Sequence, residues 1–112
     1  GLDVEESTPL EEELVEEICL PGERQWLATR RLSVRGLLAK AIFSVKEAVY
    51  KCQYPQTRRM FGFDMIEVDL DPEGARFVAR FTENVGQFSS SERFAGKFWF
   101  ADEHIFSLLV LR

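Results

Sequence analysis

Histidine and cysteine are scarce in this chain of 112 residues, which has one histidine and two cysteines. Cys19 and Cys52 form no C-x-x-C pair and have no histidine at a ligand spacing, which argues against a zinc site. A disulfide between them stays open, although two reduced thiols are more typical of an intracellular composition. His104 lies in a turn between two predicted strands, where we expect a solvated side chain rather than a catalytic base.

Long apolar runs and a net positive charge are also missing. No run approaches the roughly 20 apolar residues that cross a bilayer, and no signal-peptide pattern is visible. We therefore expect a cytoplasmic protein without a membrane partner. The net charge of −5 argues against nonspecific nucleic-acid binding. A serine-nucleophile triad has little support, because Ser44 has no histidine near it in the sequence.

Length and composition predict one globular domain over residues 1–112, with 46% apolar and 29% charged residues. Because Gly1 is not methionine and opens a strand-like segment, we expect a fragment or a processed chain. Ten phenylalanines predict a well-filled core or an apolar surface for a partner. An imperfect alternation of aromatic residues implies that some face outward, on a packed sheet or at an interface. These residues are Phe98, Trp99, Phe100 and Phe106.

Helix signals occupy the first half of the chain. Ser7-Thr8-Pro9 has the hydroxyl, the proline and the following glutamates of a helix start. Pro21-Gly22 is predicted to break that helix, and a short second helix is expected over Glu23–Ala28, with its tryptophan and leucine inward. A long helix is predicted over Ser33–Gln53, and Pro55 is expected to stop it.

The long helix has one apolar face at 100° per residue. Its predicted buried residues lie within about 60° of one line. They are Leu38, Ala41, Ile42, Val45, Ala48, Val49 and Cys52. Charged residues cluster on roughly the opposite side, namely Lys40, Glu47 and Lys51.

Strand signals dominate the second half of the chain, where apolar and polar residues alternate. Residues 71–74 read as a turn between two of the strands, and residues 87–92 as a polar connector. The predicted strands are 2–5, 65–70, 76–82, 96–101 and 105–111. Helices first and antiparallel strands later predict an α+β fold, with one long helix packed on an antiparallel sheet.

Three carboxylates are candidate metal ligands. Glu47 precedes Lys51 by one helical turn, and an exposed ion pair worth about 0.2–0.5 kcal/mol explains that spacing equally well. Asp3 and Glu5 share one face of a strand, where acidic residues are common at a sheet edge. Magnesium binds carboxylate oxygens together with substrate phosphates, so Asp3, Glu5 and Glu47 form a suitable set if strand and helix meet. Lys46 and Lys51 would then flank the phosphates.

Two segments resemble sequence elements of a known enzyme family. Gly1-Leu2-Asp3-Val4-Glu5 is similar to the G-x-D-x-E element of 4′-phosphopantetheinyl transferases. Phe43-Ser44-Val45-Lys46-Glu47-Ala48-Val49-Tyr50-Lys51 is similar to their F/W-S/A-x-K-E-A-x-x-K element, the more specific of the two. The segments Glu23-Arg24-Gln25-Trp26-Leu27 and Phe61-Gly62-Phe63 also fit, so the resemblance spans nearly the whole chain. It is greatest to the C-terminal half of the enterobactin synthetase component D-like branch.

The resemblance implies transfer of the 4′-phosphopantetheine arm of coenzyme A to a serine of an acyl or peptidyl carrier protein, with release of adenosine 3′,5′-bisphosphate. Asp3, Glu5 and Glu47 would bind magnesium. Lys46 and Lys51 would contact coenzyme A phosphates, and Lys51 would also assist the leaving group. Glu47, directly or through water, would be the base for the carrier serine. Siderophore or other secondary-metabolite biosynthesis is the implied setting.

Only the second half of a two-half enzyme is matched. In this branch coenzyme A lies between two similar halves, and a first-half histidine among its adenine and 3′-phosphate contacts has no counterpart here, since His104 lies elsewhere. We therefore expect a fragment of a two-half enzyme, or a stand-alone half that needs a partner for catalysis. The alternative is a non-catalytic interaction or dimerisation module with the same fold.

Four arginines are candidate contacts for the carrier protein, because carrier proteins are usually acidic. An equally favoured alternative is that they pair with the glutamates of the first helix. They are Arg24, Arg30, Arg31 and Arg35.

Overall fold

A first strand, three helices and four further strands follow one another along the chain. The computed structural model describes residues 1–110. The elements are β1 (Leu2–Glu6), α1 (Glu12–Ile18), α2 (Pro21–Ala28), α3 (Leu32–Thr57), a 3-10 turn (Phe63–Met65), β2 (Ile66–Asp71), β3 (Arg76–Phe81), β4 (Phe94–Ala101) and β5 (His104–Leu109). The predicted α+β fold, with a long helix on an antiparallel sheet, is confirmed.

The strands form one antiparallel sheet in the order β1-β5-β4-β3-β2. The first strand thus lies at an edge, where Asp3 is opposite Ser107 and Val4 is opposite Phe106. Helix α3 packs on the inner face over β1, β5 and β2, and α1 and α2 pack against α3 in turn. The acidic strand and the charged segment of the long helix are therefore neighbours.

The buried apolar residues of α3 were predicted well, but three buried polar residues of the same helix were missed. All the predicted residues are buried except Cys52, which is half-buried. Ser44, Lys46 and Gln53 are also buried, with at most 1% exposure. They were missed because the sheet lies on one flank of the helix and α1 and α2 lie on another, so flanking positions are covered too.

The expectation that Pro55 stops the long helix is wrong. The helix continues to Thr57 and ends at Arg58, whose φ of 59° is left-handed. A proline in the last turn removes one backbone hydrogen bond without ending the helix. The final turn is held by the Gln53 side chain, which contacts the Thr57 hydroxyl and donates to the Arg59 carbonyl at 3.1 Å.

Both short helices begin at different residues than predicted. Helix α1 begins at Glu12 rather than at Ser7-Thr8-Pro9. That segment is used to cross α3, because Leu10 is buried and its backbone N–H donates to the Gly36 carbonyl at 3.0 Å. Pro21 begins α2 instead of only separating two helices, since proline suits the first helical position.

The strands agree with prediction within two residues at each end, except at the C-terminus of β5. That strand was predicted to reach Leu111, which lies outside the described residues. His104 is the first residue of β5 and is half-buried, rather than a solvated turn residue. Both cysteines are free thiols, as expected. Within residues 1–110, no helix has both the length and the hydropathy needed to cross a membrane.

A close approach at Gly96 gives a test of this packing. A Cβ at this position would lie 2.2 Å from the Phe77 ring and 2.5 Å from the Leu108 carbonyl oxygen. We expect Gly96→Ala to lower the free energy of unfolding by about 1–3 kcal/mol, because neither neighbour can move freely. Urea denaturation measures the effect.

Gly22→Ala is the matched control, since a Cβ there meets no atom within 4 Å. In helix α2 it should be neutral or stabilising by up to about 1 kcal/mol. Equal destabilisation by both substitutions would contradict the packing around β4.

Candidate functional site

The first strand turns its carboxylates toward α3 and its apolar side chains away from it. Asp3 is 2% exposed, whereas Leu2 and Val4 are 52% and 45% exposed. An edge strand normally buries its apolar side and solvates its acidic side. The reversed pattern predicts that the acidic side has a function beyond packing.

Asp3 and Lys51 form the central contact of this site. Lys51 Nζ donates to Asp3 Oδ1 at 2.7 Å. The lysine side chain is half exposed and the aspartate side chain is almost fully buried. While Glu5 is ionised, the buried Asp3 Oδ2 has no hydrogen-bond partner within the described residues, whereas a protonated Glu5 is within reach of the Asp3 carboxylate. A buried acceptor without a partner costs about 1–3 kcal/mol, so the site has capacity for a further donor or cation.

The two glutamates beside Asp3 are held in an unfavourable electrostatic environment. Burial raises the pKa of Glu5 from 4.5 to about 7, helped by a hydrogen bond between its protonated form and Asp3 and by the negative charge of Asp3. Burial and the charge of Asp3 also raise the pKa of Glu47, although Lys51 opposes this. The pKa of Lys51 is raised mainly by its hydrogen bond to Asp3. Three carboxyl groups thus repel one another, and the ammonium groups of Lys51 and Lys40 offset this only in part.

The predicted metal ligands meet in space but do not form a ready coordination set. Among residues 1–110, no three acidic, histidine or cysteine side chains are close enough to count as a metal cluster. Asp3, Glu5 and Glu47 nevertheless interact electrostatically. Carboxylate oxygens are the donors that magnesium takes, and the partnerless Asp3 oxygen is one of them. The chemistry of the residues therefore fits the predicted ion.

Lys46 lies apart from these groups. Its side chain is fully buried, and Nζ donates to Glu23 Oε1 at 2.7 Å. The same ammonium donates to the carbonyl oxygens of Ile18 at 2.7 Å and Phe63 at 3.1 Å. Contact between Lys46 and a coenzyme A phosphate stays a prediction, and this arrangement opposes it because the ammonium is already surrounded by protein acceptors.

A small cavity of about 160 Å³ adjoins Glu47. Its walls are largely aromatic and come from α3 and from the segment that leads into the 3-10 turn. The lining includes Tyr50, Phe61 and Phe63. A larger groove of about 690 Å³ lies at the start of β4, and none of the three carboxylates lines it. We place the candidate site where the smaller cavity meets the Asp3–Lys51 pair, because Glu47 lines that cavity and also interacts with both Asp3 and Lys51.

Two buried polar contacts around the site were missed from the sequence. Ser44 and Ser107 share a hydrogen bond of 2.8 Å and are both fully buried, which ties α3 to the strand beside β1. Glu23 is the buried partner of Lys46. The sequence marks it in two ways that do not reveal this pairing. It lies in a segment that fits the family resemblance, and it is a carboxylate in the first turn of a helix, which is ordinarily a capping residue.

The arginines do not pair with the glutamates of the first helix in the described structure. Arg24 donates to the Glu16 and Cys19 carbonyls, and Arg35 donates to the Ala28 and Arg30 carbonyls, so both satisfy acceptors at helix ends. Arg30 packs over the Trp26 ring and lies 3.9 Å from Glu73. Contact with a carrier protein stays a prediction for all four, including the exposed Arg31.

Comparison with known proteins gives one consistent result. The model of the 4′-phosphopantetheinyl transferase superfamily matches residues 1–107. The chain is 39% identical over 83 residues to 4′-phosphopantetheinyl transferase Svp of Streptomyces mobaraensis, covering 71% of this chain and 33% of Svp. It is 34% identical over 73 residues to Npt of Nocardia iowensis, covering 65% of this chain and 32% of Npt.

A third relative, PptT of Mycobacterium tuberculosis, also carries the name 4′-phosphopantetheinyl transferase. Identity is 27% over 85 residues, covering 76% of this chain and 37% of PptT. The matched region thus spans about a third of the length of these relatives.

The raised pKa of Glu5 predicts a particular dependence of stability on pH. A carboxyl group whose pKa is higher in the folded state stabilises the fold at low pH and loses that contribution as pH rises. Between about pH 4.5 and 7 the free energy of unfolding should therefore fall on account of this group. Glu5→Gln should flatten the decline and make the chain more stable than the parent at pH 8.

Urea denaturation at several pH values measures this difference. Glu6→Gln is the matched control, because Glu6 is the exposed next residue of the same strand. A parent and a Glu5→Gln variant with parallel pH profiles would contradict the electrostatic description of the site.

Proposed function

The chain belongs to the 4′-phosphopantetheinyl transferase superfamily, and from this premise we propose that it supplies the magnesium-binding half of a transferase site. Its substrates would be coenzyme A and an acyl or peptidyl carrier protein. One observation carries the proposal. Asp3 and Lys51, which belong to two separate family elements, meet in an ion pair of 2.7 Å with Glu5 and Glu47 beside them.

Asp3, Glu5 and Glu47 are the residues that we propose to hold magnesium. When bound, the ion would neutralise charge on the diphosphate of coenzyme A as the bond to the leaving group breaks. The repulsion among the three carboxylates supports this proposal, because it is relieved by a cation. The pKa of Glu5, which is raised to about 7, further implies that ion binding releases a proton near neutral pH.

Lys51 is proposed to contact the phosphates. In the structure its ammonium is the counter-charge of Asp3, and a cation on that carboxylate would free the lysine for another anion. Half of its side chain is exposed, so it can turn without disturbing the core. Its positive charge would then stabilise the departing adenosine 3′,5′-bisphosphate.

Glu47 is the proposed base. Its raised pKa brings it closer to neutrality, where a carboxylate accepts a proton more effectively. The carrier serine oxygen would attack the phosphorus that bears the pantetheine arm, and its proton would pass to Glu47 directly or through water. The aromatic cavity beside Glu47 is a suitable place for the arm, because it excludes water on one side.

The remaining part of the site is proposed to come from another half or subunit. The outer face of the sheet is apolar along β1, β5 and β4, where Val4, Phe106 and Trp99 stand in register. The two aromatic rings stack at 5.4 Å, and Trp99 is 38% exposed. Because β1 is an edge strand with Asp3 and Glu5 on its other side, a partner that covers this face and extends past β1 would reach the carboxylates. A two-half enzyme of the enterobactin synthetase component D-like branch, with residues 1–112 as its C-terminal half, fits this arrangement.

Calorimetric titration of coenzyme A, with and without magnesium, tests the site. We expect Asp3→Asn and Glu47→Gln each to weaken magnesium-dependent binding by roughly tenfold or more, because each removes an ionic oxygen ligand. Lys51→Met should weaken coenzyme A binding while leaving magnesium binding intact. Asp69→Asn, an exposed carboxylate on the outer face of β2, is the control. Equal affinity with and without magnesium, in the parent and in both carboxylate variants, would refute the assignment.

Transfer itself is tested with labelled coenzyme A and an apo carrier protein, with the remaining two thirds of a relative such as Svp supplied in trans. Incorporation that depends on this chain and on Glu47 supports the proposal. Coenzyme A binding without any transfer, even with the added half, would instead favour the second candidate function.

That second candidate is a non-catalytic interaction or dimerisation module, and the exposed apolar face favours it. If the isolated chain pairs through this face, light scattering should show a dimer at high concentration. Val4→Lys should shift the equilibrium toward monomer, because it places a charge on the apolar face beside Phe106. Leu32→Lys is the control, since Leu32 is 79% exposed on α3. A parent that stays monomeric at all concentrations would exclude self-association.

A further inference from the structure

The Lys46 ammonium is the most deeply buried charge in the described part of the chain. The residue is 0% exposed, and it is the largest of the fully buried side chains. An ammonium has three donors, and Lys46 has three acceptors, namely Glu23 Oε1 and the Ile18 and Phe63 carbonyls. No donor remains for a substrate.

The Glu23 carboxylate is satisfied just as completely. Its Oε1 accepts hydrogen bonds from Lys46 Nζ and from the Leu20 backbone N–H, each at 2.7 Å. Its Oε2 accepts from the Val68 backbone N–H at 2.7 Å. Glu23 and Lys46 therefore connect four elements to the middle of α3. These are the end of α1, the start of α2, the start of the 3-10 turn and the third residue of β2.

Stability alone gives a poor reason for such a pair. An apolar pair of similar volume usually stabilises a protein interior as well as a buried ion pair does, or better. A buried ion pair instead contributes structural specificity, because its hydrogen bonds form in only one arrangement of the surrounding helices and strands. The location of this ion pair indicates which function the fixed arrangement supports.

The pair forms part of the wall of the candidate site, since Lys46 is itself among the residues that line the cavity beside Glu47. Glu47 follows Lys46 on α3, so the two side chains point about 100° apart. Glu47 and Phe63 line the same cavity, and Lys46 Nζ holds the Phe63 carbonyl. We propose that Glu23 and Lys46 are positioning residues that set the rotation of α3 and the distance between the two cavity walls.

This role differs from the phosphate contact that the family resemblance implies for Lys46. A phosphate ligand contributes mainly to coenzyme A affinity, whereas a positioning residue contributes to the placement of Glu47. The kinetic part of the test depends on the proposed transferase function. The spectroscopic part needs neither magnesium nor coenzyme A, so failure of one proposal can be distinguished from failure of the other.

The key variant is the double substitution Glu23→Leu with Lys46→Met, compared with each single substitution. The singles leave one buried charge unpaired and should lower the urea midpoint strongly. The double should recover most of that stability. Its amide resonances at Glu47, Phe63 and Lys51 should stay displaced in proton–nitrogen NMR spectra of the metal-free chain. Glu67→Leu with Arg80→Met is the control, because that ion pair lies on the outer face of β2 and β3.

Kinetics in the presence of the added half give the second readout. We expect kcat of the double variant to fall by roughly tenfold to a hundredfold, with the KM for coenzyme A nearly unchanged, because a small displacement of a reacting group is costly. A double variant with parental resonances at Glu47 and Phe63 would overturn the proposal and leave the pair a purely structural feature. So would a Lys46→Met variant that loses coenzyme A affinity while Glu47 keeps its resonance, since Lys46 would then be a ligand.

Glu23→Gln covers the case in which the double variant does not fold. Glutamine keeps the shape of the side chain, but its amide has only one acceptor oxygen. It therefore cannot accept hydrogen bonds both from the Val68 N–H and from the donors on the other side, Lys46 Nζ and the Leu20 N–H. The same resonances should shift in this variant, and their constancy would equally refute a positioning role. If the parent chain neither binds coenzyme A nor supports transfer, the proposed function fails, and the NMR comparison still decides the role of the pair.

Discussion

The enclosure of helix α3 determines most of this structure. Its apolar stripe packs on the inner face of the sheet, where Ala41, Val45 and Ala48 have no exposed surface. The small side chains allow the backbone to approach the strands closely. Helices α1 and α2 then cover another flank, which leaves one narrow sector of the helix facing solvent. Glu47 and Lys51 occupy that sector, and the edge strand β1 closes one side of it.

The carboxylates of β1 are the main departure from an energetically ordinary fold. A strand that buries Asp3 and exposes Leu2 and Val4 sacrifices apolar burial and desolvates a charge. The lysine contact compensates one oxygen of that carboxylate only. Proteins tolerate such local conflicts mostly at functional sites. A cation among the carboxylates would offset the desolvated charge, and a partner over the outer face would bury Leu2 and Val4, so the proposed function resolves both conflicts.

Hydrophobic periodicity predicted the parts of the fold in which each element buries one face. The stripe from Leu38 to Val49 and the alternation of the strands follow from burial on one face, and both were found. The start of α1 was not, because the cap signal at Ser7-Thr8-Pro9 competes with the burial of Leu10 against α3. The end of α3 was misplaced for a related reason, since contacts of the Gln53 side chain hold a turn that Pro55 weakens. Neither the contact of Leu10 with α3 nor the side-chain contacts of Gln53 can be inferred from hydrophobic periodicity.

The two lysines of the second family element also differ in a way that tertiary contacts determine and local sequence does not. Lys46 and Lys51 are five residues apart, which places them about 140° apart around a helix, whereas Glu47 and Lys51 are only about 40° apart. Helical geometry alone therefore argues that one phosphate cannot easily meet both lysines from the same side. Which lysine faces the site depends on what covers each flank, and that was supplied by Glu23 on one side and Asp3 on the other. A sequence element that looks like a single charged cluster thus divides into a buried half that holds the helix in place and an exposed half that is free to meet a ligand.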